Sequence, residues 1–269
     1  MLRVGSCFSG IGGLDLGLER TGGFKTVWLI ENDPHCQKVL RRHWPDVPLF
    51  GDIHEVEANM LVDVDIMVGG YPCGPFSVAG DRGGESDARY LWPQMRRLLR
   101  LQRPGYVLLE NVPGHLSLGF ADVLSDLDEL RYDAEWGVVP VCSEAGGFGP
   151  QLRKRLFVVA HRDGAGLEER EGVGSDIREK LPATIGGSGG ARVGQTEPPL
   201  GRDLDGLPGR VGEARWPAPL GEPQHEWEPA RTCDKRPGRV AELRALGNAV
   251  VPQVAEYIGR LLLETTNRA

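Results

Sequence analysis

The chain has 269 residues, enough for one large α/β domain or a moderate domain carrying a smaller insertion, and its net charge of −7 argues against a non-specific nucleic-acid coat while leaving room for a local basic face. Its cysteines, five in number and without a Cys-x-x-Cys pair, speak against a disulfide framework and against zinc, so no metal is expected. No apolar run reaches about 18 residues and no basic-then-apolar leader opens the chain, so no membrane partner and a cytoplasmic location are expected; a monomer is expected as well.

In chain order, residues 2 to 8 read as a short strand that breaks into Phe8-Ser-Gly10-Ile-Gly12-Gly13-Leu14-Asp15. Glycines after a first strand let the backbone approach a ligand, and the following helix offers its N-terminal amides. As a dinucleotide fingerprint the run fails, because Asp15 stands at the third glycine position. Val27 to Ile30 is a second apolar run, ending in Glu31-Asn32-Asp33. An acidic residue there is placed to accept ribose hydroxyls, whereas capping of the helix that opens at Pro34 suits Asp33 better than Glu31. Leu49-Phe50 leads into Gly51-Asp52-Ile53, which reads either as a further ligand element or as a turn.

Ile66-Met67-Val68 reads as a buried strand delivering the loop Gly69-Gly-Tyr71-Pro72-Cys73-Gly74-Pro-Phe-Ser77-Val-Ala-Gly80 at its carboxyl end, where open α/β sheets place their ligands. A thiolate nucleophile needs a rigid, polar, partly exposed setting of that kind, and a buried structural cysteine is the alternative. Gly80 to Ser86 reads as a flap, and a helix opening at Asp87 carries Leu91, Met95, Leu98 and Leu99 at helical spacing. Tyr106 to Leu109 is another continuous apolar strand, ending in Glu110-Asn111. A carboxyl group there is either an ordinary ion-pair partner or, raised by desolvation, a proton donor near neutral pH.

A helix from about Phe120 to Leu130 and a strand around Ala134 to Val141 follow. Gln151-Leu-Arg153-Lys-Arg155 then precedes the strand Leu156 to Ala160, and alternation puts both arginines on one side. Two guanidinium forks suit a phosphate or a pyrimidine carbonyl oxygen, with a solvated basic edge as the alternative. From 163 to 239 the chain is rich in glycine, proline and charge without a clear period. Order returns at Val240 to Leu246, followed by Gly247-Asn248-Ala249-Val250-Val251-Pro252 and an amphipathic helix through Leu263.

Gly-Gly-x-Pro-Cys-x-x-Phe-Ser-x-Ala-Gly resembles the catalytic loop of the DNA cytosine-5 methyltransferases. The Phe-x-Gly-x-Gly-Gly turn, Glu110-Asn-Val, Gln-x-Arg-x-Arg and Gly-Asn-Ala-Val-x-Pro resemble further motifs of that family, in the family order. The resemblance implies a doubly wound, Rossmann-like, mostly parallel α/β sheet with one antiparallel strand. It also implies a catalytic domain over 1–162 and 240–269 and a small target-recognition region over 163–239.

S-adenosylmethionine is the implied cofactor, with Phe8, Gly10, Gly12, Gly13, Leu14, Glu31, Asn32, Asp52, Ile53, Pro72, Leu91, Asn248 and Val250 around it. Double-stranded DNA is the implied partner, met by Gly74, Ser77, Arg210, Arg215, Arg231, Lys235 and Arg236. Cys73 is the implied nucleophile on C6 of a flipped cytosine, Glu110 the acid at N3, and Arg155, with Arg153, the group that orients the ring.

Tyr71 departs from the family's usual proline and Gly74 from its usual glutamine, which leaves sequence readout weaker or assigned to the recognition region. No copy of the family's Arg-x-x-Thr-x-x-Glu motif precedes the last one, which favours a short target. An RNA methyltransferase on the same fold lacks support because the Cys-Phe-Thr tripeptide of that branch is missing. A catalytically silent DNA-binding relative has no need to retain Cys73, Glu110 and Arg155 together, and a nicotinamide dehydrogenase is opposed by the broken glycine fingerprint.

Overall fold

The computed structural model describes residues 1–72, 90–141, 153–162, 223, 226 and 238–267. Among these, seven strands form one sheet: β1 (Leu2–Cys7), β2 (Phe24–Ile30), β3 (Leu49–Phe50), β4 (Ile66–Gly69), β5 (Tyr106–Asn111), β6 (Tyr132–Pro140) and β7 (Lys154–Arg162). Their order is β3-β2-β1-β4-β5-β7-β6. The first five run parallel; β7 is antiparallel to both β5 and β6, so it alone is reversed. That is the mostly parallel sheet with one antiparallel strand expected from the sequence.

The central strands are apolar on both faces because both faces are covered. Every residue of β4 and β5 is buried, as suits parallel strands sandwiched between helices. Alternation sorts them cleanly. Met67, Val107, Leu109, Leu156 and Val158 enter one core, while Ile66, Val68, Leu108, Phe157 and Val159 enter the other.

The first core is closed by α3 (Trp92–Gln102) and α4 (Phe120–Glu129), through Met95, Leu98, Leu99, Val123 and Leu127. The second is closed by α1 (Gly13–Arg20) and the final helix, through Leu14, Leu18, Val254, Ala255 and Ile258. That final helix, α6 (Pro252–Asn267), follows α5 (Arg239–Asn248), and α2 (Pro34–His43) links β2 to β3.

Close approach explains several glycines on these surfaces. At Gly17 of α1 a Cβ would stand 2.3 Å from the Pro252 carbonyl oxygen and 2.5 Å from the Ala255 Cβ, so the last helix lies almost backbone-to-backbone on α1. The C-terminal segment therefore returns to the first α/β unit. The expected opening of α3 at Asp87 lies partly outside the described residues; the observed helix starts at Trp92, with Leu91 at its N-cap.

Candidate active site

At the carboxyl ends of β1 to β5 the connections of a doubly wound sheet diverge, β1 and β4 being neighbours whose loops depart to different helices. After Cys7 the chain turns sharply. Phe8 has φ 53°, Gly10 φ 57° and Gly12 φ 81°, all left-handed, and α1 starts directly afterwards. A side chain at Gly12 would strike the Trp44 ring at 2.4 Å, and one at Gly13 would stand 2.3 Å from the Val250 carbonyl oxygen. Nothing lies within 4 Å of the Cβ position of Gly10, which faces open space. Phe8 packs on the first core. Leu14 is buried in the second, so only its main chain faces the loop.

Glu31 stands beside this loop. Its Oε2 accepts the Gly10 N–H and its Oε1 the Asp33 N–H, each at 2.7 Å. Burial raises its pKa, against the pull of those amides. The Asn32 N–H adds to these, and the carboxylate keeps acceptor capacity suited to a ligand hydroxyl. Asp33 is the helix cap: its Oδ1 accepts from the amides of His35 and Cys36, which holds its carboxyl below the ordinary range. Asn32 is exposed.

Asp52 caps the turn Ile53–Glu55, accepting the His54 N–H at 3.0 Å, while Ile53 is buried beneath it. Arg97 of α3 braces that turn by donating to the carbonyls of Ile53 and Val56 at 2.8 and 3.0 Å. Arg96 is engaged as well, pairing with Asp126 and Glu129. Arg41 and Arg42 are exposed.

The neighbouring wall belongs to β4 and β5. Gly70 is where the chain passes Glu110: a Cβ there would stand 3.0 Å from Glu110 Oε2. Glu110 is buried, its other oxygen 2.8 Å from Arg155 Nε on the reversed strand β7. Desolvation raises its pKa to about 7 despite the opposing pull of Arg155 and Arg153. A carboxyl group poised there holds a proton at neutral pH and gives it up at little cost.

Asn111 donates Nδ2–H to the Tyr71 carbonyl at 3.1 Å, and the Tyr71 hydroxyl is 2.8 Å from His115 Nε2. Both Tyr71 and His115 are buried, and burial holds the imidazole pKa below its ordinary value. The main chain entering the Pro72-Cys73 loop is thereby fixed to the segment that carries Glu110. Pro72 is exposed and Leu91 is half-buried.

Arg153 turns toward the chain's return. Its Nη1 donates to the Gly247 carbonyl and its Nη2 to the Ala249 carbonyl, both at 2.6 Å. Asn248 is exposed and Val250 half-buried beside Gly13. Cys73, Gly74, Ser77, Arg210, Arg215, Arg231, Lys235 and Arg236 lie outside the described residues, as do the flap and nearly all of 163–239.

The sheet order, with its single reversed strand and its polar groups at the carboxyl ends, defines a Rossmann-like methyltransferase class. A chain described as a DNA modification methyltransferase encoded within an E. coli prophage superposes with TM-score 0.54 at 26% identity, over 69% of this chain and 52% of that one. A mutant of Spodoptera frugiperda DNMT2 superposes with TM-score 0.52 at 20% identity, over 64% of this chain and 54% of that one, which is a likeness of fold.

In sequence, the profile of C-5 cytosine-specific DNA methylases matches residues 2–186. The type II methyltransferase M.NaeI of Lentzea aerocolonigenes is 30% identical over 99% of this chain and 76% of its own length. M.Bsp6I of Bacillus sp. is 33% identical over 69% of this chain and 59% of its own. The chain belongs to the C-5 cytosine-specific DNA methylase family. It spans 59% of the length of M.Bsp6I, so it matches only part of that relative.

Proposed function

We propose that this protein transfers a methyl group to C5 of a cytosine flipped out of double-stranded DNA, within a short sequence context. The observation that carries the reading is the Glu110 carboxyl group, raised to about 7 at the end of β5, pressed against Gly70 and paired with Arg155. In sequence it follows a loop whose cysteine has the family's nucleophile pattern. The residues around Gly10 fit S-adenosylmethionine: an open left-handed glycine, a half-buried carboxylate with acceptor capacity, and a capped turn at Asp52-Ile53. When bound there, that cofactor supplies the methyl group as an electrophile attached to a sulfonium.

Cys73, as thiolate, adds to C6 of the cytosine. Glu110 delivers its proton to N3, so the electron pair released by addition collects at C5 and makes that carbon nucleophilic. Arg155 holds the conjugate carboxylate and offers its remaining N–H groups to the ring's carbonyl oxygen. Once C5 carries the methyl group, the C5 proton leaves to solvent water as the C6–S bond breaks and expels the thiolate, N3 returns its proton to Glu110, and both groups are restored. Asn111 supports the loop through the Tyr71 carbonyl.

The test is bisulfite sequencing of an unmethylated plasmid after incubation with the purified protein and S-adenosylmethionine. Protected cytosines in one recurring context are expected. Complete conversion, with cofactor binding demonstrated, would refute the DNA reading.

A further inference from the structure

Arg153 occupies a different position from its neighbour in the Gln-x-Arg-x-Arg run. Arg155 reaches the acid, whereas both terminal nitrogens of Arg153 are spent on the carbonyls of Gly247 and Ala249, 94 and 96 residues away, and its Nε is buried. The segment it grips is held on the opposite side by Gly13, whose Cα leaves only enough room for the Val250 carbonyl.

Among the described residues the preceding helix buries few of its side chains. In α5 only Ala245 is buried, while Val240, Leu243 and Leu246 are 81%, 56% and 62% exposed. A planar fork bonded to two carbonyls fixes both the place and the orientation of the segment it holds.

We propose that Arg153 is a positioning residue for cofactor binding: it clamps 247–250 against the Gly13 end of the pocket and holds that wall in register with the pair that Glu110 of β5 makes with Arg155 of β7. It touches neither base nor phosphate. The inference rests on the reading of the Gly10–Glu31 pocket as the S-adenosylmethionine site.

The experiment compares wild type, Arg153→Ala and Arg153→Lys by calorimetric titration with S-adenosylmethionine, by duplex DNA binding, and by hydrogen exchange of the cofactor-free proteins. Loss of the fork should weaken cofactor binding on the order of ten-fold in Arg153→Ala. Arg153→Lys should be weakened less, since an ammonium replaces a fork by a point charge. Amides of 247–254 should exchange faster in both variants, while DNA affinity stays at the wild-type value.

Unchanged cofactor affinity and unchanged exchange would overturn the proposal, and so would weakened DNA binding with cofactor binding intact. A wild-type protein that binds no S-adenosylmethionine would strike the pocket reading itself and the inference with it. If Arg153→Ala does not fold, Arg153→Lys carries the same comparison.

Discussion

Asp15 is an acid that the fold keeps fully buried in the first turn of α1. The Ser6 hydroxyl donates to its Oδ2 at 3.0 Å and the Thr26 hydroxyl to its Oδ1 at 3.4 Å, so the helix carrying Gly13 is tied to β1 and β2 through one carboxyl group. Desolvation outweighs these bonds and raises its pKa from 3.8 to about 7. The sign follows from linkage. With the folded pKa above the unfolded one, Asp15 costs nothing well below pH 4. Its cost grows as the unfolded chain ionises and levels off once the pH passes about 7.

A shift of this size corresponds to a cost of about 2 kcal/mol at pH 5 and about 4 kcal/mol at pH 8. Asp15→Asn removes the titration and still offers an acceptor to one hydroxyl and a donor to the other. Urea denaturation of both proteins at pH 5 and pH 8 should therefore show the variant gaining about 2–3 kcal/mol on wild type between the two pH values. Glu110 also titrates near 7 but is common to both proteins and cancels in the difference. A difference in stability that does not change with pH would refute the reasoning, for it would mean that Asp15 ionises in the fold without penalty.

Cys73→Ala should abolish methyl transfer and leave duplex binding intact, read by tritiated methyl incorporation beside a gel-shift assay; methylation that survives would remove the nucleophile assignment. Glu31→Ala should raise the S-adenosylmethionine concentration needed for half-maximal rate by a factor of about 10 or more, since charge-assisted hydroxyl contact is lost. An unchanged requirement would place the ribose elsewhere. Gly17→Ala should lower stability by about 1–3 kcal/mol through overpacking of α1 on α6, seen as a lower denaturation midpoint. A variant as stable as wild type would mean that the two helices separate at little cost.

What the sequence made legible is what is local in it. The strands ending at Ile30, Gly69 and Asn111 carry the apolar runs 27–30, 66–68 and 106–109, and groups that matter stand within a few residues of the end of each run. The helix cap at Asp33 was readable because a cap and the amides it binds are neighbours along the chain. The Tyr71–His115 contact and the grip of Arg97 on the Ile53 and Val56 carbonyls were not, because each spans 41 to 44 residues and a backbone carbonyl is one that every residue type carries alike. Asp15 registered only as a misfit in a glycine fingerprint. The serine and threonine that solvate it on β1 and β2 carry no spacing signal of their own.

Arg153 shows the same limit at the level of role. Alternation predicts the same side of the strand for it as for Arg155, and residue type makes the two guanidinium groups look equivalent. The distinction comes from the C-terminal segment, which crosses the sheet's end and presents two carbonyls to one fork and none to the other. Motif order places the last motif beside the first; the backbone then decides which arginine serves the wall and which the acid. A run of two like residues can thus divide its work between structure and chemistry, and only the path of the distant chain reveals the division.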